Sequence, residues 1–289
     1  MNKSLNNKTC IVTGATSGIG YETTLGLADR GASIVLIGRN PSKANKAVNS
    51  IKEATGNDAV EAVIADLSSQ TEIRKAASLI GDRYDKIDVL INNAGIWLSK
   101  PKITEDGIET MFAVNHLAYF YLTHLLMDKL IRSGSGRIIN VASDSHFHGK
   151  MQFDDLNLTG RYHGLRAYGQ SKLANVLFTY ELDRRLKKNK IPVTANCVQP
   201  GLVKTDIGLK HTISVHSLAW KFRRISGVSA TKGAETSVYL AENQDVEGMG
   251  GKYWDNCKTK ASSKASYNLD DASKLWEISL KLCNVDHYF

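Results

Sequence analysis

Short apolar runs alternate with longer amphipathic stretches along most of the chain. Thr9–Thr13, Ser33–Ile37, Ala59–Ala65, Ile87–Ile91, Arg137–Val141 and Val193–Val198 are rich in Ile, Val and Ala with little polar alternation. That is the pattern of strands buried on both faces. Between them, apolar positions recur at helical spacing. These stretches run from the glycines after Thr13 to Arg30, over Pro41–Ala54 and Ser69–Tyr84, and from about Thr104 to Arg132, where Gly134 and Gly136 follow. Two more cover Ala167–Lys188 and Ala230–Ala241, and Lys252–Trp254 reads as a last short strand. Strands separated by helices of this length predict right-handed βαβ crossovers. The expected fold is α/β: a doubly wound parallel sheet between two helical layers. No Pro- or Ser-rich linker interrupts residues 1–289, so one domain is expected, with a core at about 9–254 and an extension over 255–289.

Composition narrows the classes. A chain of 289 residues, 42% apolar and 23% charged, can bury a substantial core. No run reaches the ~18 apolar residues of a membrane span. Met1–Asn7 has no apolar stretch of signal-peptide type, so a cytoplasmic protein is expected. Cys10, Cys197, Cys257 and Cys283 lack metal or redox spacing, which points to a reducing compartment and to no metal. A net charge of +8 raises the question of nucleic acid, but the basic residues are dispersed and no binding motif accompanies them.

The first strand-to-helix turn reads Thr13-Gly14-Ala15-Thr16-Ser17-Gly18-Ile19-Gly20. Glycines there allow a tight turn and let the backbone approach a pyrophosphate, which then lies at the positive end of the helix. Three residues separate the first two glycines, two more than in the commonest dinucleotide fingerprint, and no Gly-Lys-Ser/Thr of a phosphate-binding P-loop follows. After the second strand the chain reads Gly38-Arg39-Asn40, with no acid for ribose hydroxyls. An arginine there suits a 2′-phosphate, which favours NADP(H), although Arg39 also fits an ordinary surface position. Asp66 and Leu67, after the third strand, fit an adenine contact, or Asp66 a helix cap.

Tyr168 and Lys172 stand four residues apart, on one helix face. A phenol titrates near ~10, and a neighbouring ammonium pulls it toward the range where acid–base catalysis works. Ser143 ends the fifth strand, and Asn115 lies in the long helix. His146 and His148 follow the serine and could line a substrate mouth.

Taken together, Thr13–Gly20, Asn92–Gly95, Asn115, Ser143, Tyr168–Lys172 and Pro200-Gly201 resemble a short-chain dehydrogenase/reductase. Val114–Leu117, Asn140–Ser143, Ser171–Asn175 and the tail around Leu275-Trp276 resemble its retinol dehydrogenase-like branch. The resemblance implies a Rossmann fold and a tetrad of Asn115, Ser143, Tyr168 and Lys172. Tyr168 would exchange a proton with the substrate oxygen, Ser143 would hydrogen-bond that oxygen, and Lys172 would lower the phenol's pKa and hold the nicotinamide ribose. Asn115 would hold a water leading from Lys172. The cofactor would meet Gly14, Thr16, Ser17, Gly18, Ile19, Gly20, Arg39, Asn40, Asp66, Leu67, Asn93, Ala94, Gly95, Tyr168, Lys172, Pro200, Gly201, Val203 and Thr205. The substrate would be a small lipophilic alcohol or carbonyl compound. A nucleotide-binding scaffold without turnover is the alternative, and the intact Ser143, Tyr168 and Lys172 argue against it.

Two further expectations follow. Residues 202–228 would form a lid, with Val215, Leu218, Ala219, Phe222 and Ile225 on one face and Lys210, Lys221, Arg223 and Arg224 as basic neighbours. Such a helix closes over an apolar substrate or rests peripherally on an anionic membrane, a plain core-packing helix being the alternative. The helices carrying Asn115 and Tyr168 show apolar residues on more than one face, at Leu117, Phe120, Tyr121 and Leu125 and at Leu173, Val176, Leu177 and Tyr180. A homodimer through those faces is expected, in agreement with the resemblance, helices merely well buried in a monomer being the alternative.

Overall fold

A computed structural model describes residues 3–160, 162–201 and 228–289. Eight strands form one sheet in the order β3-β2-β1-β4-β5-β6-β7-β8. These are β1 Thr9–Thr13, β2 Ser33–Gly38, β3 Val60–Ile64, β4 Val89–Asn92, β5 Gly136–Val141, β6 Val193–Gln199, β7 Tyr253–Asp255 and β8 Lys258–Lys260. Every pair is parallel except β7 with β8, a final hairpin beyond the single short strand expected there. All five residues of β1 are buried, because both faces of the sheet are covered. Ile11 faces one core and Cys10 and Val12 the other, as strand alternation requires.

Helices α1 Gly18–Asp29, α2 Pro41–Thr55 and α7 Ala230–Glu242 lie on one face. On the other lie α3 Gln70–Arg83, α4 (110–125), α5 Met127–Arg132, α6 Gly164–Lys188 and α8 Leu269–Leu282. Local chemistry sets their starts. Asn40 accepts from the Lys43 amide, with Pro41 in the first turn of α2. Ser69, Ser229 and Asn268 cap α3, α7 and α8 in the same way. Gly56 closes α2 at a φ of 65°.

The long helix expected from Thr104 to Arg132 is shorter and broken. Gly107 turns at a φ of 77°, and Ile103 bridges Glu109 instead of joining a helix. Glu109 then caps α4 by accepting from the Phe112 amide at 2.8 Å. Within α4, Thr110–Phe112 leads into a π-helical turn at Ala113–Leu117 and then Ala118–Leu125. Leu126, at φ −101° and ψ 3°, separates α4 from α5. Asn115 sits within the π turn, a device common at functional sites.

The strand order reverses between β1 and β4, and ligands of open α/β sheets bind at such a switch point, beyond the carboxyl ends of the strands.

Candidate active site

At the switch point, the loop after β1 and the loop after β4 are bonded into one unit. Thr13 Oγ1 accepts from the amides of Asn93 at 2.8 Å and Ala94 at 2.9 Å. Asn93 Nδ2 donates to the Thr13 carbonyl at 2.8 Å. Gly14 adopts a φ of 65°, and a Cβ there would lie 2.7 Å from Ala94 Cα. A Cβ at Gly20 would overlap Asn93 Nδ2 and the Gly14 carbonyl. These glycines are required by close packing between the two loops. Ser17 precedes α1 in an extended conformation and makes no side-chain cap, and no acid occupies the first turn. The amides at this helix start can therefore receive an anion.

Arg39 is exposed at the end of β2 and has no carboxylate partner among the described residues. Thr16 Cγ2 lies so close to Gly38 that a Cβ there would overlap it, which brings the glycine loop against the base of Arg39. Asp66 Oδ1 accepts from the Ser68 amide and hydroxyl at 2.9 and 2.8 Å, and Ser69, not Asp66, caps α3.

The second half of the site is carried by β5 and α6. Lys172 is 3% exposed, and its ammonium donates to the Val141 carbonyl at 2.9 Å. It stands 5.7 Å from the ring centre of Tyr168 and 5.9 Å from that of Tyr119. A Cβ at Gly95 would lie 3.7 Å from Lys172 Nζ and 3.6 Å from Asn115 Oδ1, so the loop after β4 touches both residues. Asn115 is fully buried, and its amide is spent on structure. Oδ1 accepts from the Ile96 amide at 2.8 Å, and Nδ2 donates to the Ile96 carbonyl and to Ser171 Oγ at 3.1 and 3.0 Å. Ser171 Oγ in turn donates to the Tyr168 carbonyl at 2.8 Å. Asn115 thereby ties the loop after β4 to the turn of α6 that carries the phenol.

Burial governs the charges. It pushes the Tyr168 phenol up to about 12, while the hydrogen bond from Ser143 pulls the other way. It pushes the Lys172 ammonium down to about 7. The phenol therefore shifts opposite to the direction expected from Lys172, because loss of water around both groups outweighs their mutual effect.

The short chain dehydrogenase family model matches residues 8–213. The chain belongs to this family. It is 41% identical over 286 residues to retinol dehydrogenase 13 of Homo sapiens, covering 96% of this chain and 85% of that protein. It is 40% identical over 284 residues to polyprenol dehydrogenase of Homo sapiens, with 96% and 86% covered. Among solved structures, an uncharacterized protein from Mycobacterium paratuberculosis superposes with a TM-score of 0.78 at 31% identity, covering 97% of this chain and 94% of that one.

In this short-chain dehydrogenase, Asn115, Ser143, Tyr168, Lys172, Asn93, Ala94 and Gly95 are brought together around the ends of β4 and β5. The glycine loop and Arg39 extend from them across β1 and β2, with Asp66 and Leu67 beyond on β3. Pro200 and Gly201, at a φ of 82°, follow β6. Val203, Thr205 and the expected lid over 202–228 fall outside the described residues up to 227. His146 does not line a mouth: it is 0% exposed and bonded through both ring nitrogens. The sequence reading missed Thr13, whose place directly before the first glycine was its one signal. It also missed Tyr119, whose hydroxyl donates to the Ala94 carbonyl at 2.8 Å.

Proposed function

We propose that the chain is an NADP(H)-dependent oxidoreductase that interconverts a lipophilic alcohol and its carbonyl compound, with Tyr168 exchanging the proton. The observation that carries this reading is the Tyr168 phenol beside Ser143, with the Lys172 ammonium one turn away and Gly95 next to that ammonium.

When bound, the nicotinamide supplies or accepts the hydride. The chain's residues do the rest. Tyr168, protonated at neutral pH, gives its proton to the substrate oxygen in reduction and takes one back in oxidation. Ser143 Oγ hydrogen-bonds the same oxygen and fixes its distance from the phenol. Lys172, anchored on the Val141 carbonyl, stabilises the charge left on Tyr168 as the proton departs. The amides at the start of α1 would hold the pyrophosphate, and Arg39 would hold the 2′-phosphate.

Two features support an apolar substrate. Tyr168 packs against the buried apolar cluster of Trp97, Met111, Leu158 and Ala167, as do Ile96, Leu98 and Tyr162. The similar human proteins are named for retinol and polyprenol, both long apolar alcohols.

The test is NADPH oxidation across retinal, medium-chain aldehydes, steroid ketones and quinones, with both cofactors titrated. NADPH should bind at least about tenfold tighter than NADH, as one good charged contact allows. Arg39→Asp should reverse that order. Equal affinities in the unmodified protein would remove the cofactor assignment, and no turnover of any carbonyl would remove the reaction.

A further inference from the structure

Ser143 caps the 3-10 segment Asp144–His148, its Oγ accepting from the Ser145 amide at 3.2 Å and donating to Ser145 Oγ at 3.2 Å. Its carbonyl is fixed from behind. His146 Nδ1 lies 2.7 Å from the Ser143 carbonyl, which also accepts from the His146 amide at 3.0 Å. His146 Nε2 accepts from the Ser263 amide at 3.0 Å. A carbonyl can only accept and an amide N–H can only donate, so the ring is the neutral tautomer with its proton on Nδ1. Its faces are packed by Phe147 at 4.3 Å and Tyr253 at 4.9 Å between ring centres.

The Ser263 end is fixed in turn to α6. Ser266 Oγ donates to the Ser263 carbonyl at 2.7 Å and bonds Ser262 Oγ at 2.7 Å. Ser262 Oγ bonds the hydroxyl of Tyr180, three turns beyond Tyr168 on the same helix, at 2.8 Å. Gly149, which ends the 3-10 segment, packs on Gly169, the residue after Tyr168. A closed path thus runs from Ser143 through His146, Ser263 and Tyr180 back to the helix that carries the phenol.

We propose that His146 is a positioning residue for Ser143: Nδ1–H holds the serine's carbonyl while the 262–266 segment of the C-terminal extension holds Nε2, so the extension sets the distance between Ser143 and Tyr168. This rests on the proton-transfer role given to those two residues above. A buried histidine that merely fills the core would satisfy the same bonds, so the test must separate position from stability.

Two replacements split the ring. His146→Asn keeps a donor where Nδ1 stands and loses the contact with Ser263. His146→Gln keeps an acceptor where Nε2 stands and loses the contact with Ser143. With NADPH and all-trans-retinal or decanal, His146→Gln should lower kcat at least about tenfold, the worth of a lost hydrogen bond in a site where small displacements matter. His146→Asn should retain several-fold more, with NADPH affinity unchanged in both. A purely structural histidine would give equal kcat in the two variants, and that result overturns the proposal. Ser263→Pro removes the donor to Nε2 at a φ of −64°, which proline adopts, and should match His146→Asn. It serves where a ring replacement fails to fold, and an unchanged kcat in it overturns the role of the extension. Independently of turnover, nitrogen NMR of the unmodified protein should show the proton on Nδ1, and a proton on Nε2 alone overturns the arrangement. Ser143→Ala is the control. If it keeps full kcat, the role of Ser143 falls; if it is inactive while the Asn and Gln variants fall alike, only the positioning role falls.

Discussion

Tyr168 and Lys172 both lie in surroundings that favour their neutral forms, and this fixes their testable behaviour. Tyr168→Phe removes one hydroxyl and should abolish turnover while leaving NADPH affinity within a few-fold, as read by steady-state kinetics and cofactor titration. A variant that keeps most of its kcat would falsify the proton-donor role. Lys172 makes a prediction for the protein alone. Its folded pKa of about 7 lies below the ordinary 10.5, so between those values the unfolded chain still holds a proton that the folded chain has released. Stability therefore rises with pH across that window. Tyr168 shifts the other way, to about 12 from 10, so its contribution falls only above pH 10. Urea unfolding at pH 7 and near pH 10 should show the gain, and Lys172→Met should flatten it. A slope that survives the substitution assigns it to other groups.

The elements that the sequence made legible are those whose burial leaves a mark on every residue. β1, β2, β5 and β6 are covered on both faces, so their apolar runs are continuous and their bounds fall within a residue or two of the expected ones. Tyr168 and Lys172 stood out because one helix turn carries both, whereas Asn115 and Ser143 entered only through the resemblance of their order to a family, and the roles of all four are proposals. The irregular elements were not. Apolar spacing continues unchanged through the Ile103–Glu109 bridge, the π turn and the break at Leu126, so it could not reveal where α4 starts and stops. β8 has only exposed residues, and its pairing with β7 is purely tertiary. The π turn also brings its own pH dependence. His116 is buried there with Nε2 3.1 Å from Ser279 Oγ on α8, and burial pushes its pKa down to about 3. As pH falls from the ordinary 6.5 toward 3, the unfolded chain takes up a proton that the folded chain refuses, and stability is lost. His116→Leu should move the acid unfolding midpoint to lower pH. An unchanged acid limb would assign the loss elsewhere, His146 first, since burial lowers its pKa too.

At the scale of the whole molecule, the C-terminal extension bears on the expected assembly. The apolar faces of α4 and α6 that suited a second copy are already covered by this chain. Leu117, Phe120, Tyr121, Leu173, Val176 and Leu177 are all buried without a partner, and Leu125 and Tyr180 are partly so. α8 lays Trp276 against them, with ring centres 5.3 Å from Phe120 and 6.1 Å from Phe178. Tyr288 completes the cluster, 4.7 Å from Phe120 and 4.5 Å from Trp276. Its hydroxyl donates to the Phe120 carbonyl at 2.7 Å, and its own carbonyl lies 2.9 Å from His124 Nδ1. Arg185 stacks 4.4 Å over Trp276 while pairing with buried Glu181 at 2.6 Å, which seals the edge. The apolar burial that would drive association through these faces has been used within one chain, so the homodimer expected there lacks its driving force. Light scattering at micromolar concentration should therefore give the mass of one chain. Trp276→Ala should cost about 3–5 kcal/mol of stability, as large-to-small changes in packed aromatic cores do. Removing residues 269–289 should bare Phe120 and Phe178 together and turn the chain into one that self-associates or precipitates. A dimer in the unmodified protein that Trp276→Ala leaves intact would mean that copies meet on another surface. A dimer that Trp276→Ala abolishes would mean that α8 joins two chains instead of closing one.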